Sequence, residues 1–409
     1  MYINKKIIVR YKWGKYKMFY EKQELKQRED YKKMLKIVGS LSNMFSESDK
    51  PYLYYRCHEN IFCKYFEAKN LSREDCSADA QKDNVGIGLK TWIDADNQKV
   101  AEFNKLKETY MDLTPYEMVC KIAEYRNERI RITKNLHGIS EMIYHIVKRV
   151  PNAMQIYEYA FDMIDIKNIK VIDSKSSKKN IYFTDGKHTY HFNISKSTLY
   201  MIFEDMILLD SFEVDILDDP YAYLENLLSQ NTEMFSEVNK IIKKDDKHEQ
   251  LCLRLYTINK TTKEKTIEEH SGLNQWNGAR KNTATNTYTP RNPNELYIPY
   301  PAFDRNRSVG FFPPRDEIFE LILPDGKTIQ AKVCQSDGKA IMSNPNSDLG
   351  KWLLRDVFEL PEGKIVTYEM LKVFGIDSVI FTKLDEKKYK IDFTEVGTYE
   401  KLLYNNEEE

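Results

Sequence analysis

The chain has 409 residues, 62 Lys and Arg against 63 Asp and Glu, and a hydrophobic content of 41%. That content fills real cores and excludes a disordered chain, and the length suggests two or three domains. A formal net charge of −1 excludes any inference about nucleic acid from global charge, so only local clustering can speak.

In chain order, "MYINKKIIVRYKWGKYKMFY" holds no apolar core of signal-peptide length, and no stretch approaches the ~18 apolar residues of a membrane span. Cys57, Cys63, Cys76, Cys120, Cys252 and Cys334 form no CxxC pair and no zinc-type group with histidine, which predicts reduced thiols in a cytoplasm. Residues 20–46 read as an amphipathic helix with Leu25, Tyr31, Met34, Leu35 and Val38 on one face. "YLYYRC" reads as a short strand and "HENIFCKYF" as a helix. "DADNQKVAEFNKLKETY" reads as a turn and a helix. "LTPYEMVCKIAEYRNERIRI" is a helix with Thr114 as N-cap, Pro115 at its first position and Glu117 closing a capping box.

Further on, "NIYFTDGKHTYHFNIS" is a hairpin with an Asp-Gly turn, followed by Ser195 and Ser197 as N-caps of a helix. The run "KSSKKN" is a solvated hairpin tip, basic enough to touch a nucleic-acid backbone. Residues 237–250 are charged and lack periodicity. A boundary there gives a domain over 1–240, a linker region over 241–265 and a second domain over 266–409. Beyond it come short strands and Pro/Gly turns, with "EIFELILPDGKTIQAKVC" and "SVIFTKLDEKKYKIDF" as hairpins and one helix at "YEMLKVFG". The expected fold is mixed: an α/β first domain, then an all-β barrel.

"SADAQKDNVGIGLKTW", residues 77–92, carries the first chemical suggestion. Metal-dependent cleavage of a phosphodiester needs acidic oxygens to hold Mg²⁺ and a cation near the attacking water. Asp79 stands at a strand end. Lys90 lies on one face of the next strand beside Gly86, Gly88 and Trp92, and the glycines leave room for a phosphate. An Asp…Lys hairpin is common in itself, so its context decides. The segment resembles the PD-(D/E)xK nuclease core, with Asp79 at the first acidic position and Lys90 at the lysine position. The family's second acid stands two residues before the lysine, where this chain has Gly88. Some restriction enzymes of that superfamily move the acid to the helix after the lysine strand, which matches Glu102. Glu59, on the preceding helix, is the competing or additional acid. The resemblance implies Asp79 and Glu102 on Mg²⁺ with the Leu89 carbonyl beside them.

The second suggestion lies in 272–303, "GLNQWNGARKNTATNTYTPRNPNELYIPYPAF", which carries Arg280, Lys281 and Arg291 but no acid from Gly272 to Arg291. Its amides suit base edges and its cations suit phosphates. Trp276 there is expected to pack or to stack. With "FFPPRDEIFELILPDGKTIQAKVCQSDGKAIMSNPNSDLGKWLLRDVF" and "VTYEMLKVFGIDSVIF", it resembles the C-terminal DNA-recognition domain of type II restriction enzymes, a pseudobarrel like the B-three domain of plant transcription factors. That resemblance runs over residues 270–395. It implies two arms in the major groove, "NQWNGARKN" and "SDGKAIMSNPNSDLGKW", with Gln275, Trp276, Asn277, Arg280, Lys281, Lys339, Ser343, Asn344, Asn346 and Lys351 as DNA contacts. The phospholipase-D nucleases often joined to this domain need an HxK motif. His191 with Lys196 has the wrong spacing, and His145 with Lys148 sits on an expected helix.

Together these resemblances imply a type II restriction endonuclease that hydrolyses double-stranded DNA with Mg²⁺ and leaves a 5′-phosphate. Two cuts imply a homodimer, a DNA-induced assembly or sequential nicking, and a cognate methyltransferase as a system partner without direct contact. The rival from another class is a sequence-specific DNA-binding protein with a degenerate nuclease fold, which Gly88 keeps open.

Overall fold

The computed structural model describes residues 18–72, 76–94, 96–230, 248–259, 262, 264–282 and 286–405. The chain divides into two compact units. One comprises Met1–Arg73, Ser77–Asn127 and Ile139–Asp246, the other Glu74–Cys76, Glu128–Gly138 and Lys247–Glu409. Residues 231–247, which hold most of the expected boundary segment, lie outside the described residues.

The first unit is built on a six-stranded sheet. β1 (Lys69–Asn70), β2 (Ala80–Lys82) and β3 (Val85–Trp92) form an antiparallel meander, preceded by helices α1 (Leu25–Ser40) and α2 (Tyr55–Phe66). β4 (Asn97–Glu102) leaves this sheet. Helix α3 (Pro115–His137) then crosses over to β5 (Glu141–Val150), which pairs parallel to β3, as a parallel pair requires. Thr114 and Glu117 form the expected capping box at its start: Thr114 N donates to Glu117 Oε2 at 3.0 Å and Glu117 N to Thr114 Oγ1 at 3.4 Å. β6 (Ala153–Ala160) and β11 (Ile207–Glu213) complete the sheet in the order β1-β2-β3-β5-β6-β11.

One face of this sheet, through Ile87, Leu89, Val147 and Ile156, buries Phe62 and Phe66 of α2 and Tyr31 and Leu35 of α1. On the other face Tyr144 stacks on Phe161, with ring centroids 4.1 Å apart, and meets Phe203 edge-on. Phe203 closes β10 (Thr198–Ile202) of a second, antiparallel sheet. Its order is β4-β10-β9-β8-β7, with β7 at Lys170–Val171, β8 at Asn180–Thr184 and β9 at Thr189–Asn193. Phe183, Tyr190, Phe192, Leu199 and Met201 are its buried side.

Four local expectations fail here. The helix expected at His145 and Lys148 is strand β5, paired on both sides in the sheet. "YLYYRC" is no strand: the chain is irregular to Tyr54 and helical from Tyr55. The helix expected after the lysine strand is instead β4, followed by a 3-10 turn over Asn104–Thr109. Ser195 and Ser197 cap no helix. They lie in the tight turn between β9 and β10, where Ser197 takes φ +49°. In each case pairing with a neighbouring strand or packing overrides local propensity.

The second unit is a nearly closed barrel made from one seven-stranded sheet. β12 (Gln250–Arg254) starts it. β13 (Thr257–Ile258) with β14 (Lys265–Thr266) and β15 (Arg280–Asn282) with β16 (Thr287–Thr289) are side ribbons. β17 (Ile298–Pro299), β18 (Ile318–Ile322), β19 (Thr328–Cys334), β20 (Ala340–Ser343), β21 (Ile376–Asp385) and β22 (Lys388–Glu395) complete the order β12-β21-β22-β18-β19-β20-β17. Its core is aliphatic and aromatic and includes Ile132 and Leu136 from the end of α3. Asn274, fully buried, ties the first expected arm to this core: its amide donates to Val366 O at 2.9 Å and its oxygen accepts from Val366 N at 2.8 Å.

A polar chain runs through the core of the first unit. The Tyr31 hydroxyl bonds His58 Nε2 at 2.9 Å and His145 Nε2 at 3.1 Å. His145 Nδ1 faces Glu158 Oε1 at 3.5 Å, and Tyr20 N donates to the same oxygen at 2.7 Å. Burial pushes Glu158 up to about 8 and His145 down to about 3, and holds His58 well below its ordinary range. Above the ordinary carboxylate value of 4.5 the folded unit keeps a proton on Glu158 that the unfolded chain releases. Its contribution is therefore full below 4.5 and is lost as pH rises through 8. The imidazoles act oppositely: their contribution is full above 6.5 and is lost as pH falls through their lowered values. Denaturant unfolding is expected to show maximal stability near pH 6.5, declining on the alkaline side by up to about 1.4 kcal/mol per pH unit. Glu158→Gln is expected to flatten that alkaline limb. A limb unchanged in the variant would show that another group titrates there.

Candidate functional site

In the first unit, the β2–β3 hairpin fixes Asp79. Ala80 pairs with Ile87, which puts Asp79 opposite Gly88 and two positions along the strand from Lys90. Asp79 N donates to Ile87 O at 2.9 Å, and Leu89 N donates to Asp79 Oδ2 at 2.7 Å, a short charge-assisted bond. The Leu89 backbone, whose carbonyl is expected beside the metal, is thus tied to the Asp79 carboxylate through its amide. Lys90 is half-buried, and its side chain makes no hydrogen bond or ion pair among the described residues.

Glu59 comes from α2. It is only 5% exposed, and Arg56 Nη1 donates to its Oε2 at 3.0 Å while also holding Ser72 O at 2.8 Å. Burial first, and then the charge of Asp79, raise the Glu59 carboxyl above its usual range. The thiol of Cys63, one helical turn on, is pushed up to about 12 by burial and by the charges of Glu59 and Asp79. Glu59 and Asp79 therefore share one electrostatic neighbourhood. Two carboxylates in one neighbourhood are oxygen-only donors, of the kind Mg²⁺ accepts when phosphate and water complete its shell. Among the described residues no group of three or more His, Cys, Asp and Glu stands ready to hold a metal ion.

Glu102 sits elsewhere. It is the last residue of β4 in the five-stranded sheet, opposite Thr198. It is exposed, and its carboxylate is engaged by Lys99 and Asn104. The helix on which it was expected does not form. Position 88, where a second acid would stand in the expected nuclease pattern, is closed to any side chain. A Cβ built there would lie 2.8 Å from the Tyr144 ring and 2.9 Å from that of Phe161. No local signal marks Tyr144, which is 56 residues away and meets Gly88 only through the parallel register. The Arg56–Glu59 pair, by contrast, has the i,i+3 spacing that marks it in the sequence.

In the barrel unit the expected DNA contacts divide into interior and surface. Ser343 is fully buried at the end of β20, and its hydroxyl accepts from Leu349 N at 2.9 Å. Gln275 is 7% exposed, with Arg291 Nη1 donating to its side-chain oxygen at 2.7 Å once the amide is oriented toward the guanidinium. Trp276, half-buried, packs against the barrel core, and its indole N–H has no partner among the described residues. Asn277 is exposed, but its amide donates to Glu269 O at 3.0 Å. Arg280 and Lys281 lie on β15, paired with Thr289 and Tyr288, and their side chains lie outside the described residues.

The second arm is more open. Lys339 and Lys351 are exposed and make no ion pair among the described residues, and the half-buried Asn344 and Asn346 side chains make no hydrogen bond there. Asn344 and Asn346 follow β20 directly, next to the Ser343–Leu349 anchor, whereas Lys339 precedes β20 at its other end, about 14 Å along the strand. Free amides and cations on one arm are what base edges and phosphates require. Residues 249–385 match the family model of the NgoFVII C-terminal B3-like DNA-binding domain. This part of the chain is a restriction-enzyme DNA-binding domain, and double-stranded DNA is its partner. No curated protein matches the chain. Among the described residues no helix is long and apolar enough to cross a membrane.

Two measurements check these placements. Gly88→Ala is expected to destabilise the first unit by about 1–3 kcal/mol through overpacking against Tyr144, read from the denaturation midpoint. Ser343→Ala is expected to cost about 1–3 kcal/mol by orphaning the Leu349 amide, with DNA affinity kept under conditions where the variant is folded. Lys351→Ala is expected to do the reverse. Equal stability in wild type and Ser343→Ala would show that this hydroxyl anchors nothing.

Proposed function

We propose that the chain is a site-specific double-stranded DNA endonuclease of a restriction-modification system, with Mg²⁺-dependent hydrolysis in the first unit and sequence reading in the barrel. The supporting observation is the like-charge pair of Glu59 and Asp79 at a strand end, two positions from the unpartnered Lys90. The order helix, three-stranded meander, crossover helix and parallel strand agrees with the PD-(D/E)xK core. In this reading Glu59, not Glu102, completes the acid pair with Asp79.

Mg²⁺ bound between these carboxylates would neutralise charge developing on the scissile phosphate and lower the pKa of the attacking water. Asp79 is held in place by the Leu89 amide and Glu59 by Arg56, so both acids are positioned before substrate arrives. Lys90 binds and orients the water, whose oxygen attacks phosphorus in line. The P–O3′ bond breaks, leaving a 5′-phosphate and a 3′-hydroxyl. One such site cuts one strand, so a double-strand break takes a second copy of the chain or two successive nicks.

The rival is a DNA-binding protein without catalysis, which the closed position at Gly88 favours. Purified protein incubated with unmodified and cytosine-methylated phage DNA separates the two. Discrete fragments with Mg²⁺, none with EDTA, and a loss of about 100-fold or more in Lys90→Ala, Asp79→Asn and Glu59→Gln are expected. Full activity in Glu59→Gln with loss in Glu102→Gln would move the second acid back to β4. Retained DNA binding with no product on either substrate would leave the rival standing.

A further inference from the structure

The five-stranded sheet of the first unit carries a feature that neither the acid pair nor the barrel uses. Three segments leave one end of it: residues 175–179 before β8, residues 194–197 between β9 and β10, and the 3-10 turn Asn104–Thr109 after β4. They are tied to one another. Ile194 N donates to Lys179 O at 2.9 Å, and Phe103 N donates to Ser197 O at 2.8 Å. Asn193 Nδ2 donates to Asn180 Oδ1 at 2.8 Å, and the oxygen of Asn193 accepts from Lys196 N at 2.8 Å. Ser177 Oγ accepts from Lys179 N at 3.3 Å and Asn180 N at 3.2 Å. These are braced loops, not frayed ends.

On this brace stand Lys107, Lys175, Lys178, Lys179 and Lys196, all exposed and none in an ion pair among the described residues. Residues 175–179 and 194–197 hold no acid, and Glu108 is the one acid in Asn104–Thr109. Exposed cations on a braced frame make a positive patch that attracts an anionic partner. The outer face of the sheet continues the site with a ladder of near-parallel rings. Tyr182 and His191 are 4.7 Å apart and His191 and Tyr200 4.9 Å, with Asn180 and Asn97 bonded to the imidazole. Amides and phenols beside lysines are the usual donors to phosphate oxygens.

We propose that this end of the sheet is a sequence-independent contact for the phosphate backbone of duplex DNA, separate from the reading surface of the barrel. It rests on DNA being the partner, as the barrel domain establishes, and not on the catalytic reading. Binding of the full chain to a short duplex of mixed sequence, measured in EDTA across a salt series, tests it. For Lys178→Gln/Lys179→Gln/Lys196→Gln, the slope of log affinity against log salt is expected to fall by about 2–3, at ~0.9 for each phosphate no longer neutralised. The corresponding triple Arg variant is expected to keep the wild-type slope. An unchanged slope in the folded Gln variant overturns the proposal. So does weaker binding to heparin with unaltered binding to DNA, which would assign the lysines to another polyanion. The readout is binding alone, so an absence of Mg²⁺-dependent product would sink the catalytic reading and leave this one intact.

Discussion

The Tyr144 ring lying across Gly88 sets the terms for the first unit. It locks the parallel register between β3 and β5, because no other residue type at 88 leaves space for the ring. Register in a sheet buried on both faces is all-or-none: a one-residue slip would turn Ile87 and Leu89 away from the α2 core. The same contact closes position 88 to any side chain, a carboxylate included. Acidic groups near Asp79 must then come from outside the strand. The buried face of α2 offers Glu59, already oriented by Arg56.

Glu59 illustrates a tension in such a site. A carboxylate with few water contacts facing another negative charge is poorly stabilised in the bare protein. Its neighbour Arg56 offsets part of that, but at nearly half exposure the guanidinium is screened by solvent. The buried chain from Tyr31 to Glu158 is a separate matter. It joins α1, α2, β5 and β6, and in either arrangement of the His145–Glu158 pair it holds one proton that the unfolded chain lacks at neutral pH.

Much of this was legible in the sequence where the signal was local. The capping box at Thr114, the Asp-Gly hairpin at 185–186 and the Asp79–Lys90 hairpin follow from residue types at fixed offsets, and each forms. The barrel was legible through several motifs in order, and residues 249–385 match one family model. What was hidden depends on distant partners. "KVAEFNKL" has helical spacing, yet its first residues form β4, because the partner Thr198–Ile202 lies about a hundred residues on. Ser343 and Gln275 looked like DNA contacts because polar residues in a polar loop carry no mark of burial. Only the fold shows that they serve Leu349 and Arg291.

The Ser343 anchor bears on how the barrel arm can change over time. Its hydroxyl holds the turn from inside, and Asn344 N donates to Gln330 O at 2.8 Å, while the Asn344 and Asn346 side chains make no hydrogen bond among the described residues. The anchoring side chain and the unengaged ones thus stand a single position apart. Exchange of the Asn344 or Asn346 side chain leaves the Ser343–Leu349 bond in place, so this turn can vary its polar surface while its inner attachment stays fixed.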